Sequence, residues 1–331
     1  MPTTSPTPEP HDCPRCGYDQ SGLAVTWTDR CPLKGVCSEC GLEFAWVDVL
    51  RPARNDLAWF YEHATGWGPR LRLAWRTWRV AINPVRFWSL VRLPARLNPW
   101  RAAIWPALIY ACAHAAYATA RTISMLVSYY AFVQSSGPGV GAVWSLEWID
   151  YVEPWVNPLM HVEYTPTGRT LVFASDPSVV MAGGLSLLAA AATVPLMLMV
   201  LSSSRRISRV RAGHILRAAA FSLAWVGIFP LLWAAYFLEE VVALALGSGL
   251  STYRTGGSWT MKLMTDLWPL IAAPMVAWFG WWWYQAIARG FQLPKSGTVW
   301  MLLMVAAALA ALIPALLHPD VQWWMSRWKV F

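Results

Sequence analysis

The sequence predicts an all-α polytopic membrane protein of about five transmembrane helices behind a small N-terminal zinc-ribbon domain. Three observations predict it. Hydrophobic residues make up 56% of the chain and charged residues only 13%, and mean hydropathy is positive, a balance foreign to soluble globular domains. Long apolar runs recur from residue 102 onward. Two Cys-x-x-Cys-Gly stretches, HDCPRCGYDQSGL and CPLKGVCSECGLEF, stand near the start. The chain divides on composition into a Pro/Thr-rich disordered leader at 1–10, a cytosolic ribbon at 11–50, a basic Trp-rich interfacial segment at 51–101, and a five-span domain at 102–331.

The leader MPTTSPTPEPHD has neither the charged start nor the apolar core of a secretory signal. The cysteines that follow are therefore expected in the reducing cytosol, where paired thiols bind metal more often than they form disulfides. Cys13, Cys16, Cys37 and Cys40 form C-x2-C twice. Thiolates two residues apart on a tight turn can reach one tetrahedral ion, and two such turns complete its shell. Gly17 and Gly41 follow each pair, where a knuckle calls for positive φ. The expected cofactor is one structural Zn2+, because four thiolates leave no open position for catalysis. Iron in the same shell and a pair of disulfides are the alternatives. Cys31 reads as a spare thiol, or as a substitute for Cys37, and Cys112 as a small buried residue of the first span.

Nucleic acid is not an expected partner of the ribbon. Arg15, Arg30 and Lys34 face Glu9, Asp12, Asp19, Asp29, Glu39, Glu43 and Asp48, and a net-acidic module repels phosphates. Contact with a protein partner fits it better. The next segment differs. On a helix, Arg72, Arg76, Arg79 and Arg86 fall on one side, and Leu71, Trp75, Trp78, Ile82 and Val85 gather on a neighbouring face. Pro84 and Pro94 break it into two or three short helices. A basic, Trp-bearing amphipathic segment before a span predicts an interfacial helix whose arginines meet anionic headgroups. Packing against the ribbon, with solvated arginines, is the alternative.

The expected spans are Ala102–Ile123, Val179–Leu201, Ile215–Phe237, Leu267–Ile287 and Thr298–Leu317. Each approaches the ~20 residues a helix needs to cross ~30 Å of hydrocarbon. None alternates in polarity as a barrel strand does, so helices must satisfy the backbone. Apolar character continues past Arg121, so the first helix extends or bends. SSSRRISRVRAGHILR and ARGFQLPKSG are basic, whereas 134–178 carries Glu147, Asp150, Glu153, Glu163 and Asp176 against Arg169. The positive-inside rule puts the N-terminus in the cytoplasm, and the 134–178 loop and the C-terminus outside.

Near the spans, Arg121 is expected to pair with Glu239 or Glu240, or else to snorkel independently. His114 is expected in a helix–helix hydrogen bond. Gly183-Gly184 predicts close helix packing, and Trp278–Trp283 with Tyr284 an aromatic belt. No nucleophile–base set, phosphate loop or HExxH helix occurs, so no enzyme is expected.

CPRCGYDQSGL followed by CSECGLEF resembles the CPxCGYDLxGL…CPxCG zinc ribbons at the front of many bacterial membrane proteins. Gln20 replaces the usual Leu and Ser38 the usual Pro, neither being a ligand. The Arg/Trp lead with NPVRFW, followed by five spans, is similar to the Yip1 family. Together these resemblances imply a non-enzymatic scaffold or adaptor of the bacterial cytoplasmic membrane, its ribbon contacting a protein. A transporter or channel component is the alternative.

Overall fold

The computed structural model describes residues 11–28, 30–64, 66, 68–136, 148–156, 160–165, 168–173, 180–200, 210–246 and 268–317. In chain order these hold α1 (Ser21–Val25), β1 (Lys34–Val36), β2 (Glu43–Ala45), α2 (Trp46–Leu50), α3 (Arg70–Ala81), α4 (Pro84–Leu90), α5 (Pro99–Ser136), α6 (Trp148–Val156), β3 (Met160–Thr165), β4 (Gly168–Phe173), α7 (Val180–Val200), α8 (Ala212–Ser222), α9 (Ile228–Ala245), α10 (Trp268–Gln285) and α11 (Ser296–Leu317). The expected all-α fold is thus mostly helical, with two short antiparallel hairpins, β1–β2 and β3–β4, added. The second was not foreseen.

Two units emerge: Met1–Trp105 with Leu185–Leu223 and Phe279–Pro314, and Pro106–Gly184 with Ala224–Trp278 and Ala315–Phe331. In the first, β1 pairs with β2 so that Gly35 faces Phe44. A Cβ on Gly35 would lie 2.8 Å from the Trp46 ring nitrogen, so the hairpin needs glycine there. Leu42, Phe44, Trp46 and Val49 join Cys13, Cys37 and Leu93 in a small core, closed by an edge-on contact of Trp27 with Trp46.

The helix break expected near Pro84 is present. Pro84 begins α4, where its missing N–H costs nothing, and Asn83 Oδ1 accepts from Arg86 N at 3.1 Å, a side-chain cap. The single apolar face expected for α3 is instead divided. Ala74, Thr77, Trp78 and Ala81 are buried, whereas Leu71, Trp75 and Ile82 are exposed. Successive ~100° steps explain the order: core strip, outward apolar strip, then arginine strip around one helix. Trp75 stacks on Trp78 and carries Arg79 over its ring.

Phe60, Phe87, Trp88, Trp105, Phe221 and Trp282 form the aromatic core of this unit. Trp282 and Trp283 are fully buried, which corrects the expected aromatic belt: only Trp281, stacked on Tyr284, is exposed among these three. Gly290 permits the close approach of Trp88, whose ring lies 2.6 Å from where a Cβ would stand. Within the core, Arg217 donates to both Glu62 oxygens at 2.7 and 2.9 Å. It also donates to the carbonyls of Ala95 and Arg96, while Asn98 N donates to Glu62 Oε2. Both side chains are 1% exposed or less, so the pair survives only because its donors and acceptors are filled.

In the second unit, β3 and β4 pair from Met160↔Phe173 to Thr165↔Gly168. On α5, His114, Tyr117, Arg121 and Ser124 recur at spacings of three and four, which places them on one face. His114 Nε2 bonds the Trp155 carbonyl, the expected helix–helix contact. Arg121 reaches Tyr117 Oη and, at 2.5 Å, Glu153 of α6. The expected pairing with Glu239 or Glu240 is therefore corrected to Glu153, because α6 brings a carboxylate to the same end of α5. Glu240 instead accepts from Ser124 Oγ at 2.6 Å. Cys112, expected to be buried, is exposed.

Of the five expected spans, two stretches among the described residues are long and apolar enough to cross a membrane, Ala212–Ala245 and Ser296–Ile313, with Ala189–Val200 a shorter apolar stretch. Ala102–Ile123 is helical, but Tyr110, His114, Tyr117, Thr119 and Arg121 dilute its apolar content. Its helix runs 38 residues, ~57 Å at ~1.5 Å per residue, and so extends past Arg121 as anticipated. Parts of Val179–Leu201 and Leu267–Ile287, the SSSRRISR run, and Glu147 and Asp176 lie outside the described residues.

Candidate metal centre

Two turns of the same design build the site. In the first, Gly17 N bonds Cys13 O and Cys13 N bonds Tyr18 O. In the second, Gly41 N bonds Cys37 O and Cys37 N bonds Leu42 O. Gly17 and Gly41 have φ of +80° and +66°, the left-handed conformation expected at both positions.

The turns bring Cys13, Cys16, Cys37 and Cys40 together, with all four sulfurs within 4.8 Å of one another. Sγ–Sγ separations of 3.6 Å join Cys13 to Cys40 and Cys16 to Cys37. A tetrahedron with metal–sulfur bonds of ~2.3 Å has edges of ~3.8 Å, whereas a disulfide needs ~2.05 Å. The cysteines are free thiols, and the set fits a tetrahedral thiophilic ion. Cys31 is exposed, its sulfur bonded to the Pro32 carbonyl, and takes no part.

Burial governs the thiols without an ion. It pushes Cys13, Cys16 and Cys40 up to about 11 against the hydrogen bonds of neighbouring backbone amides. Burial acts upward on Cys37 as well, but hydrogen bonds from the Cys40 backbone and the other thiols outweigh it and leave Cys37 below its ordinary value. An ion entering the cluster must displace the protons that burial holds on these thiols.

Gln20 changes the reading of the motif. It is fully buried, and its amide donates to Cys37 Sγ at 3.3 Å, so the departure from leucine touches a ligand sulfur after all.

The outward carbonyls of the first turn are also engaged. Arg211 Nη2 donates to Cys13 O at 2.9 Å, His214 Nε2 bonds Pro14 O at 2.8 Å, and Arg211 N donates to Arg15 O at 3.0 Å. Arg211 also pairs with Asp12 at 3.2 Å. Arg15, 7% exposed, runs the other way and donates to Phe291 O at 3.1 Å and Gln292 O at 2.6 Å. Gln292 adopts φ +53° to present that carbonyl. No local sequence pattern signals these contacts: in sequence Arg15 reads only as a charge, and Arg211 only as part of a basic loop.

Fold and site define a predominantly helical chain with a cluster of four cysteines, able to hold a metal ion, wired into one of its two units. No family model, no curated protein and no solved structure matches it.

Proposed function

We propose that the chain is a non-enzymatic integral membrane scaffold whose ribbon holds one structural Zn2+ and, with it, fastens the basic connecting segments at the cytoplasmic face. The observation that carries this reading is the engagement of the first knuckle. Three of its carbonyls accept from Arg211 and His214, and Arg15 within it binds 291–292. A metal that fixes this turn fixes two distant segments at once. The membrane reading, about five spans with the N-terminus inside a bacterial cytoplasmic membrane and the C-terminus outside, draws on the exposed apolar face of α11 and the Arg/Trp helix α3. The second knuckle is left to contact a protein partner.

The test is the full chain in nanodiscs, wild type against Cys13→Ser/Cys16→Ser. Amide exchange at 211–222 and 286–293 should accelerate by at least about tenfold as the fastening is lost. Unchanged protection at both segments would sink the fastening role. An unchanged set of crosslinked partners would sink the adaptor role.

Solute transport is a second reading, favoured by the His114, Tyr117, Arg121 and Ser124 stripe with Glu153 and Glu240, since ionisable groups in apolar helices commonly mark substrate paths. Proton flux in proteoliposomes that is abolished by Glu240→Gln would favour it.

A further inference from the structure

The first unit holds a recess away from the metal centre. Trp59, α3 and α4 border an open recess of about 390 Å³ lined by Trp59, Arg76, Arg79, Val80, Arg86 and Leu90. Three guanidinium groups share this space with no carboxylate in its lining. Among the described residues none of the three forms an ion pair, although Arg79 lies over the Trp75 ring. Like charges gathered in one concavity repel unless an anion joins them, and guanidinium forks match phosphate oxygens in pairs. The remaining walls, Trp59, Val80 and Leu90, are apolar. The volume lies at the lower end of small-molecule sites, suited to a headgroup rather than a whole lipid.

We propose that this recess binds the phosphate headgroup of an anionic phospholipid drawn from the bilayer. The proposal rests on the membrane reading above and deepens it from diffuse attraction to a defined site. Leu71 and Trp75 on α3 and Ile82 just past its end are exposed beside the arginines, and Leu90 is exposed at the recess itself. They offer acyl chains an apolar landing that a soluble phosphate does not need. The same unit carries Ser296–Ile313, an apolar helix only 11% buried. Arg72 supplies an internal control. It is exposed on the arginine strip of α3 but does not line the recess.

The experiment uses the full metal-loaded chain in phosphatidylcholine nanodiscs doped with phosphatidylglycerol, with retained phosphatidylglycerol counted by native mass spectrometry. The wild type should retain it saturably. Arg76→Gln, Arg79→Gln and Arg86→Gln should each weaken retention by about tenfold, and Arg72→Gln by less than about twofold, as expected of paired guanidinium–phosphate bonds. Unchanged melting temperature and metal content in each variant exclude misfolding, since all four side chains are exposed. Arg76→Lys/Arg79→Lys/Arg86→Lys keeps the charge but loses the forks, and should retain less lipid than wild type. Equal weakening by all four glutamine variants would overturn the site in favour of diffuse charge. Full displacement by millimolar inorganic phosphate would overturn the lipid assignment in favour of a soluble anion. Incorporation without saturable retention would overturn the site alone, whereas failure to enter nanodiscs would overturn the membrane reading and the site with it.

Discussion

Arg217 enters the core on an apolar helix, and Glu62 makes its presence there tolerable. With both side chains essentially inaccessible, Glu62→Gln strands a cation and should lower stability by about 3–5 kcal/mol. Glu62→Leu/Arg217→Met removes both charges and should recover most of that loss. Thermal unfolding in detergent measures both; a double variant no better than the single one would count against the pair. The thiols give a pH prediction. Cys13, Cys16 and Cys40, raised to about 11 by burial, are protonated before metal arrives and lose protons as it binds. Metal affinity therefore rises with pH, by up to about a thousandfold per unit if all three protons leave. Chelator competition between mildly acidic and mildly basic pH reads the slope, and a flat response would exclude thiolate ligation. Sequence made these residues unequally legible. The cysteine set follows from spacing alone, because adjacent turns impose it. Glu62 and Arg217 are 155 positions apart, and no local pattern announces their pairing. Gln20 was visible as a departure from a motif, but its bond to Cys37 depends on where the second turn lands.

At the scale of elements, α3 shows what periodicity conveys and what it omits. The 3.6-residue pattern predicts a helix with separate arginine and apolar sides, and Pro84 predicts where it stops. It does not say how much of the apolar side meets protein. Trp75 and Trp78 lie three positions apart, stacked on one another, yet one is 47% exposed and the other 9%. Trp78→Ala should cost about 3–5 kcal/mol by opening a core cavity. Trp75→Ala should cost less than about 1 kcal/mol while weakening partition of the protein into liposomes. Unfolding and flotation assays separate the two effects, and equal destabilisation by both variants would contradict the three-strip arrangement. The polar face of α5 carries the same lesson. His114 was readable as a hydrogen-bonding residue, but the carboxylate opposite Arg121 comes from α6, a short helix that the acidic 134–178 loop did not advertise.

Across the whole molecule, α11 sets the strongest demand on surroundings. Met301, Leu302, Val305, Leu309 and Ile313 are all more than half exposed, a continuous apolar surface that water does not tolerate on a monomer. The chain should stay with membranes through an alkaline carbonate wash and enter solution only with detergent; release by carbonate would argue against integral insertion. Apolar runs made this legible in outline. The division of aromatic residues between exposed surface and protein interior was not, because Trp281 and Trp282 are neighbours with opposite environments. The anchoring of Arg15 carries a last consequence, one of timing. Its acceptor carbonyl at Gln292 lies 277 positions later in the chain, and at ~5–20 residues per second the ribosome needs about 14–55 s to reach it. Until Arg211 and His214 are made the newborn ribbon has no dock at all, and until Gln292 follows it has only part of one. A module of this size has too little core to persist unaided, so an ion captured early by the four cysteines would keep the first knuckle shaped until its partner segments are made.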